Sequence, residues 1–512
     1  MSTAPVEADA RLGWEGVSAT ADAIPRRRKL SAGLARREWL VGLACLTIDV
    51  VSWILIYGVT SYLRRDQFLV GPFEFVLVDV IQLIVICQAL FMIGGYDRRN
   101  DTRTLTYMAE HILAIAGAAA VSSLLVYAAA AFDGSMKPSR GAVLVSFLVF
   151  LPWSIFYRRI IWKSLSSSAA SRAFLVIGSG ELAARFYETY RRSPNRQRLE
   201  FVDIERERIG EHIAGSGSPI IEGDLVMKLA NLGDHYSGVV LAERVDRIPP
   251  ELIDRLVRTQ FQRTRVYTLE SFYEAHWRRV PVQSIDPFWP LQMGFQLARN
   301  SPYHYLKRLF DVAGSGVLLV ISSPLLVLIA GAIWLGSGRP VFFRQARVGR
   351  EGELFNAYKF RTMRHRAAGA EVSVNGSQLS GKEGEESEED IYTRENDPRI
   401  TPVGRWLRKL RLDELPQLWN VLRGDMSLIG PRAEWIKCAE RYEQKIPFYH
   451  FRHLVKPGIT GWAQVNYPYG ESDQDAIEKL KYDLYYIRHY SLKLDAMIVL
   501  KTVHTVLFGK GR

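Results

Sequence analysis

The sequence is poor in cysteine: 512 residues include only Cys45, Cys87 and Cys438, with no CxxC pair. This spacing gives no indication of a disulfide framework or a structural zinc site, so a bound metal should take oxygen ligands. Charged residues are also scarce, at 23%, whereas hydrophobic residues reach 48%. That balance excludes disorder of the chain as a whole and is typical of a protein with part of its mass in a membrane.

Acidic residues are too few to balance the basic ones. There are 66 Lys and Arg against 54 Asp and Glu, a formal net charge of +12. The partner is therefore expected to be anionic: nucleic acid, lipid head groups or a phosphorylated substrate. The length exceeds what one hydrophobic core usually supports, which predicts two to four domains.

The N-terminal third predicts a membrane domain. Residues 1–37 are polar, end in clusters of Arg and Lys and lack a cleavage site, which indicates a cytoplasmic tail. Within 38–165 there are four apolar stretches, each close to the ~20 residues that cross a bilayer. These predicted transmembrane helices are at 40–62, 73–94, 106–131 and 141–157. Basic residues, including Arg158 and Arg159, fall on one side of four crossings, which places both ends of the domain in the cytoplasm.

Asp49 and His111 lie inside these apolar stretches. A transport pathway is one interpretation, since intramembrane charges are costly and often functional. Hydrogen bonding between helices is favoured here, because the four stretches carry no periodic polar face.

Residues 170–290 predict a Rossmann-like α/β domain. A buried-strand run at 173–177 turns through Gly178-x-Gly180-x-x-Ala183 into an amphipathic helix. Further strand-like runs follow at 199–204, 219–222, 238–242 and 264–268. The glycine turn could hold a pyrophosphate and Asp203 a ribose, but a lone motif of this kind is weak and a strand-end Asp is common in turns.

A second long apolar segment, about 309–335, carries Ser322-Ser323-Pro324 near its middle. Proline removes a backbone donor, so a helix here should be kinked at the Ser-Pro step. The segment is either a straight span or a re-entrant hairpin in which Ser hydroxyls satisfy the freed backbone groups.

The C-terminal part carries the chemistry. The runs 340–349 and 354–363 predict a β-hairpin with Lys359 and Arg361 on one face. Residues 366–390 are Gly-, Ser- and Glu-rich and predict a flexible acidic insertion. Aromatic and basic residues near 479–490 predict an amphipathic interfacial helix, with a core helix as the alternative.

Asp413 and Glu414 are the candidate reactive pair. Pro416 is tolerated only in a first helical turn, so both carboxylates are expected at a helix start, where the dipole would lower the pKa of Asp413. Adjacent carboxylates near Arg408 and Arg432 suit a magnesium ion with a diphosphate. The alternative is a capping Asp in a surface salt-bridge network.

A different enzyme class is suggested by Tyr303 and Lys307, which match the YxxxK pair of short-chain dehydrogenases and nucleotide-sugar dehydratases. The glycine turn lacks the wider spacing of that class, and Lys307 leads directly into the apolar segment. A non-catalytic scaffold for polysaccharide assembly is a third hypothesis, and it would tolerate loss of Asp413.

Several of these motifs occur together in an order that is typical of one protein family. The run LRKLRLDELPQLWNVLRGDMSLIGPR, with KFRTM upstream, the Ser-Pro break, and KPGITGWAQVN downstream, resembles the bacterial polyprenyl-phosphate hexose-1-phosphate transferases. The four spans and the α/β module are similar to the large, multi-domain branch of that family. The resemblance is densest in residues 300–512, which would form an α+β catalytic domain on the cytoplasmic face of the bacterial inner membrane.

The resemblance implies transfer of a sugar 1-phosphate from a UDP-hexose, with glucose weakly favoured, to undecaprenyl phosphate. UMP would be released, Mg²⁺ would be required, and the reaction would initiate exopolysaccharide, capsule or O-antigen synthesis. A homodimer is expected, a nucleic-acid partner is not, and the middle module would regulate or dimerise the enzyme.

Residue roles also follow from the resemblance. Asp413 would be the nucleophile that forms a phosphoglycosyl-enzyme, and Glu414 would help hold Mg²⁺ with it. By the same resemblance, the basic side chains expected to contact the diphosphate or the lipid phosphate are Lys359, Arg361, Arg408 and Arg432. Asp495 would be a supporting carboxylate. Ser323 and Pro324 would form the break of a re-entrant helix. Ala433 departs from the family, which usually has a second proline there, and this puts the rigidity of the loop beside Arg432 in doubt.

Overall fold

The computed structural model describes residues 38–65, 73–97, 102, 104–132, 140–170, 172–193, 197–223, 225–230, 232–261, 264–284, 289, 295, 302–364, 399–467, 470 and 472–507. The tail 1–37 and the insertion 366–390 lie outside these residues. The chain divides into two compact units, Met1–Trp277 and Arg278–Arg512. The predicted catalytic domain therefore belongs to a different unit from the predicted membrane and α/β domains.

The first unit begins with four helices: α1 (Glu38–Arg65), α2 (Phe73–Met92), α3 (Leu105–Phe132) and α4 (Arg140–Ala170). Among the described residues, four helices are long and apolar enough to cross a membrane: Leu40–Arg64, Tyr107–Ala128, Gly141–Lys163 and Tyr303–Ser337. The first three match predicted spans. The predicted second span is also helical, but its apolar described part, Val80–Met92, is shorter.

Buried polar groups join these helices. Asp49 on α1 is fully buried and accepts hydrogen bonds from Arg158 at 2.5 and 3.0 Å and from Tyr157 at 2.6 Å. His111 on α3 contacts Ser154 on α4 at 2.7 Å. Hydrogen bonding between helices is thus confirmed for Asp49 and His111. Arg158, one of the basic residues used to predict the topology, is buried in an ion pair with Asp49.

The same unit continues into a parallel sheet with strands β1 (Ala173–Ile177), β2 (Arg198–Val202), β3 (Ile221–Glu222), β4 (Tyr236–Leu241) and β5 (Val266–Thr268). The strand order is β3-β2-β1-β4-β5, and every pairing is parallel. Central β1 sends Phe174 and Val176 into one apolar cluster and Leu175 and Ile177 into another. Since both faces of the strand are covered, its sequence is continuously apolar rather than alternating.

Helices cover this sheet: α5 (Glu181–Tyr190), α6 (Leu225–Ala230), α7 (Leu232–His235), α8 (Pro250–Phe261) and α9 (Leu269–Trp277). The glycine turn after β1 has a packing reason. Gly178 has φ +130°, and a Cβ there would lie 2.5 Å from the carbonyl oxygen of Ala242. Asp203 accepts from Ser179 Oγ at 2.8 Å and from the Arg208 amide at 3.0 Å. Both carboxylate oxygens of Asp203 therefore already have donors within the chain.

The second unit starts with α10 (Tyr303–Ser337), a 35-residue helix that contains Pro324. Proline cannot donate to the carbonyl of Val320, and the hydroxyl of Ser323 donates to that carbonyl instead, at 2.8 Å. The hydroxyl of Ser322 donates to Leu318 at 2.6 Å. The predicted rescue of freed backbone groups by serine is confirmed, and the helix continues past the break.

The rest of this unit is α+β. The predicted hairpin is confirmed as β6 (Phe342–Val348) and β7 (Leu354–Phe360), which pair antiparallel. The following elements are α11 (Pro402–Lys409), α12 (Gln417–Arg423), β8 (Ser427–Ile429), α13 (Ile436–Lys445), β9 (Gly458–Thr460), α14 (Trp462–Asn466), α15 (Asp473–Arg488) and α16 (Leu492–Leu507). β8 and β9 pair parallel. On α15, Leu484 and Tyr486 are buried in the main apolar core, so the interfacial interpretation of 479–490 is wrong and the core-helix alternative holds.

Candidate active site

The adjacent carboxylates Asp413 and Glu414 lie in a short helical turn, Leu412–Glu414, between α11 and α12. Arg411, just before the turn, has φ 54°, a left-handed conformation that is uncommon outside glycine. Pro416 caps α12, whose first residue is Gln417. The carboxylates therefore lie in the short turn directly before α12, at the predicted helix start.

Glu414 is held by two cations from different elements. Its Oε1 accepts from Lys359 Nζ on β7 at 3.0 Å and from Arg432 Nη2 in the loop after β8 at 2.7 Å. Arg432 Nη1 lies 3.4 Å from Oε2, so the guanidinium spans both carboxylate oxygens. The structure thus brings together three of the predicted site residues, Lys359, Glu414 and Arg432; Lys359 is 55 residues from Glu414 in the sequence, and Arg432 is 18 residues from it.

These contacts give the two carboxylates opposite pKa shifts. Burial alone would raise the pKa of Glu414, but Arg432 and Lys359 outweigh it and hold that pKa well below its usual range. Burial, reinforced by the charge of Glu414, raises the pKa of Asp413. The expectation that a helix dipole lowers the pKa of Asp413 is therefore wrong, because burial and the adjacent charge of Glu414 both raise that pKa.

Burial also shifts the pKa of Lys359. Desolvation lowers the pKa of its ammonium even though Glu414 acts in the opposite direction. Within the part of the chain that the structure describes, no cation lies within ion-pair distance of Asp413. The site therefore holds one carboxylate committed to two cations beside a second, more basic carboxylate that is available for other chemistry.

Two other predicted site residues have structural partners. Arg408 donates to Thr362 Oγ1 at 3.0 Å, and its charge acts to lower the pKa of Asp413. Arg361 is buried and donates to the carbonyls of Ser337 at 2.5 Å and Gly338 at 2.7 Å, at the end of α10. Arg408 thus lies near the carboxylates, whereas Arg361 anchors the end of the long helix.

Asp495 lies in a different cluster. It is buried and accepts from Tyr303 and Lys307 at 2.6 Å each, and from Tyr486 at 2.8 Å. The Tyr and Lys of the YxxxK motif therefore converge on a buried carboxylate that joins the start of α10 to α16. This arrangement gives the motif a structural role and removes the main support for a dehydratase.

Next to Arg432, the backbone around Gly430 packs directly against the backbone around Gly458. The Gly458 amide donates to the Pro431 carbonyl at 2.8 Å, and the Gly430 amide donates to the Thr460 carbonyl at 2.8 Å. A Cβ on Gly458 would lie 2.0 Å from the Gly430 nitrogen, and one on Gly461 would lie 2.1 Å from the Gly430 carbonyl oxygen. The close backbone approach that fixes Arg432 thus leaves no room for side chains.

Several positioning residues were missed by the sequence analysis. Arg452 is buried, donates to the Arg432 carbonyl at 2.8 Å and pairs with Asp483 at 3.1 Å. Arg347 donates to the carbonyl of Ala433. Hydrogen bonds from Arg452 and Arg347 therefore hold the loop at Arg432 and Ala433, although Ala433 stands where the resemblance led us to expect a proline. A buried arginine gives little sequence signal, since it looks like any other basic residue.

Asn420 was also missed. Its side chain is fully buried, accepts from the Tyr358 amide at 3.0 Å and donates to the Asn356 carbonyl at 2.8 Å. These bonds fix α12 against β7, the strand that carries Lys359. The available signal was an asparagine in the apolar run LPQLWNVL, where a polar side chain needs buried partners.

The donor set limits which metal the site could hold. Among the described residues, no group of three or more His, Cys, Asp or Glu side chains is arranged to hold a metal ion. Asp413 and Glu414 offer two adjacent carboxylates. Magnesium commonly takes one or two carboxylates and fills its remaining positions with water and substrate phosphate. Two carboxylates match that preference in number, but Glu414 is already paired with Lys359 and Arg432, which leaves Asp413 as the carboxylate open to a metal ion.

Comparison with known proteins assigns this unit to a family. The model of the bacterial sugar transferase family matches residues 302–509. An uncharacterized sugar transferase of Haemophilus influenzae is 30% identical over 376 residues, which cover 72% of this chain and 75% of that protein. The chain belongs to the bacterial sugar transferase family. The predicted resemblance is thus confirmed.

Two relatives with named activities match over shorter regions. The UDP-N-acetylgalactosamine-undecaprenyl-phosphate N-acetylgalactosaminephosphotransferase of Aeromonas hydrophila is 38% identical over 54% of this chain and 60% of its own length. The UDP-glucose:undecaprenyl-phosphate glucose-1-phosphate transferase of Escherichia coli K12 is 42% identical over 40% of this chain and 41% of its own. The chain thus spans about half the length of these relatives.

Proposed function

We propose that this sugar transferase moves a hexose 1-phosphate from a UDP-hexose to undecaprenyl phosphate, releases UMP, and so initiates synthesis of an exopolysaccharide, capsule or O-antigen. The observation that carries this proposal is the pair Asp413–Glu414, with Glu414 neutralised by Lys359 and Arg432 while Asp413 remains without an ion-pair partner among the described residues. The Aeromonas hydrophila and Escherichia coli relatives both carry undecaprenyl phosphate in their names.

The proposed reaction has two displacements at one phosphorus. A carboxylate oxygen of Asp413 attacks the phosphorus that bears the sugar, the bond to the bridging oxygen breaks, and UMP leaves with that oxygen. A phosphate oxygen of undecaprenyl phosphate then attacks the same phosphorus, which forms the lipid diphosphate sugar and frees Asp413. Covalent catalysis of this kind divides one difficult step into two easier ones.

The neighbouring charges suit these displacements. Anionic donor, anionic acceptor and Asp413 repel one another, and Lys359, Arg408 and Arg432 counter that repulsion with fixed positive charge. The raised pKa of Asp413 makes it the more basic of the two carboxylates. Asp413 would hold Mg²⁺, which when bound would neutralise charge on the diphosphate.

The donor sugar is the least determined part of the proposal. The Aeromonas hydrophila and Escherichia coli relatives carry UDP-N-acetylgalactosamine and UDP-glucose in their names, and a relative in Salmonella typhimurium is named an undecaprenyl-phosphate galactose phosphotransferase. We favour UDP-glucose weakly, and we expect a homodimer in which the α/β module of the first unit, a Rossmann-like domain, has a regulatory or dimerising role.

The re-entrant arrangement of α10 is part of the proposal. Near its start, Asp311 is buried and accepts from Ser427 Oγ at 3.0 Å and from the Leu428 amide at 2.9 Å. Near its end, Ile329 and Ile333 pack with Phe360 and Leu407. Both ends of the helix therefore contact the same folded unit.

The middle of α10 is apolar and faces outward: Val320, Ile321, Val327 and Leu328 are each at least 70% exposed. A straight helix of this length would extend about 52 Å, well beyond the ~30 Å hydrocarbon core. Since one folded unit holds both ends, the helix would enter the membrane and leave on the same, cytoplasmic, side of the inner membrane.

The test is UMP release from a panel of UDP-sugars by the purified full-length protein with Mg²⁺, with and without undecaprenyl phosphate. We expect lipid-dependent release from one sugar, and loss of turnover in Asp413→Asn with an unchanged melting temperature. Glu440→Gln, an exposed carboxylate on α13, is the matched control and should keep full activity. Normal turnover by Asp413→Asn would contradict the nucleophile assignment, and retained biological function without turnover would favour a scaffold.

A further inference from the structure

A second polar site lies at the start of α10. A cleft open to solvent is lined by four basic side chains and one acidic one: Lys307, Arg308, Arg350, Lys456 and Asp311. His304 also borders it and lies 3.3 Å from Arg350 Nη1. Strand β8 supplies Ser427 at the base of the cleft. The whole cleft belongs to the second unit.

The positive charge of this cleft is only partly neutralised. Lys307 is paired with Asp495 at 2.6 Å. Arg308 donates to the backbone carbonyls of Val421 and Leu422 at 2.6 and 2.7 Å, contacts that leave its charge uncompensated. Arg350 Nη2 is paired with Glu351 at 3.3 Å. Arg308 and Lys456 therefore face Asp311, the one carboxylate among the residues that line the cleft, which leaves a net positive charge.

Two of these cations have unused binding capacity. The Nε of Arg350 is buried and has no hydrogen-bond partner in the described part of the chain. No carboxylate of the described residues lies within 4.0 Å of Lys456 Nζ. Burial, with repulsion from Arg308 and Arg350, lowers the pKa of Lys456. An anion in the cleft would relieve both the repulsion and the missing hydrogen bond.

Exposed apolar side chains lie beside the cleft. On the same turns of α10, the side chains of Leu309 and Phe310 are 64% and 51% exposed and apolar. One face of this helical segment is thus suited to acyl chains, and the other lines a cationic cleft. Basic clefts at the cytoplasmic end of a membrane helix commonly bind phosphate-bearing head groups.

This cleft is separate from the carboxylate site. Helix α12 lies between them: Glu414 precedes its first residue, and Arg308 contacts the carbonyls of its last turn. We propose that the cleft lined by Arg308, Arg350 and Lys456 binds the phosphate of an anionic phospholipid head group, as a site additional to the one that binds the substrates.

The experiment uses the full-length protein in nanodiscs that contain phosphatidylcholine with or without phosphatidylglycerol. Native mass spectrometry after release measures the phosphatidylglycerol that stays bound. We expect selective retention by the unaltered protein and roughly tenfold weaker retention in Lys456→Gln, the loss expected for one charge-assisted contact. Lys456→Arg should restore retention, and Lys437→Gln, which removes an exposed charge on α13, should leave it unchanged.

Other outcomes identify a different ligand or overturn the proposal. Equal retention by Lys456→Gln and the unaltered protein would overturn it, provided that both melt at the same temperature. Displacement of phosphatidylglycerol by millimolar inorganic phosphate would assign the cleft to free phosphate and overturn the lipid assignment. Asp413→Asn should retain the lipid normally, so a failure of the proposed reaction would be distinguishable from a failure of this site.

Discussion

Asn420 offers the sharpest test of how the site is assembled. Its side-chain amide makes three hydrogen bonds in a fully buried position: from the Tyr358 amide at 3.0 Å, to the Asn356 carbonyl at 2.8 Å and to Asp425 at 3.1 Å. Replacement by alanine removes all three. At about 1 kcal/mol for each net hydrogen bond, Asn420→Ala should lower the free energy of unfolding by about 3 kcal/mol.

The assay is thermal unfolding of the purified protein in detergent, followed in the transition of the second unit. For a unit of this size, the loss corresponds to a melting temperature lower by roughly 6–12 °C. Asn420→Asp should be at least as destabilising, because it places a carboxylate oxygen against the Asn356 carbonyl and Asp425. Asn356→Ala is the control, since that exposed side chain can be removed while its carbonyl remains.

Activity should fall further than stability alone explains. The Asn420 bonds fix α12 against β7, and these elements flank Glu414 and Lys359 respectively. Below the melting temperature, Asn420→Ala should therefore show a lower kcat for UMP release. A melting temperature within 2 °C of the unaltered protein, together with unchanged kcat, would refute the reasoning that this amide positions the site.

Two further predictions concern charge and the membrane helix. Turnover should fall as the pH drops through the raised pKa of Asp413, since the ionised carboxylate is the nucleophile. Glu414→Gln removes a neighbouring negative charge, so the acid limb of the pH–rate profile of that variant should move to lower pH. An acid limb at the same or a higher pH would contradict this. Ser323→Ala leaves the Val320 carbonyl without its donor, and should cost about 1 kcal/mol and lower the melting temperature by roughly 2–4 °C. An unchanged melting temperature would contradict this role of the hydroxyl.

Much of the fold was predictable because its signals are local. The run 173–177 is continuously apolar and turns at a glycine, which is typical of a central parallel strand. The Ser-Pro step likewise predicts a compensated break, and Ser323 provides the hydroxyl. Tyr486 was misjudged because an aromatic side chain among lysines fits an interfacial helix and a core helix equally well.

The candidate site was predictable in its residues more than in its geometry. Lys359, Glu414 and Arg432 were identified, yet nothing local indicates that both cations bind Glu414 rather than Asp413. The pairing of both cations with Glu414 depends on long-range contacts. Strand β7 positions Lys359, and the close packing of Gly430 against Gly458 positions Arg432. The pKa of Asp413 was predicted in the wrong direction because burial of the carboxyl, which the sequence does not indicate, and the charge of Glu414 both raise it.

The short helix α12 connects the chemistry to the membrane. At one end Glu414 receives Lys359 and Arg432, and at the other Arg308 from α10 binds the last carbonyls. A seven-residue helix held at both ends and fixed along its side by Asn420 has little freedom to tilt. A displacement of the start of α10 would therefore be transmitted to the carboxylate turn, so occupancy of the cationic cleft next to Arg308 should influence the alignment of Asp413 without contact between the two sites.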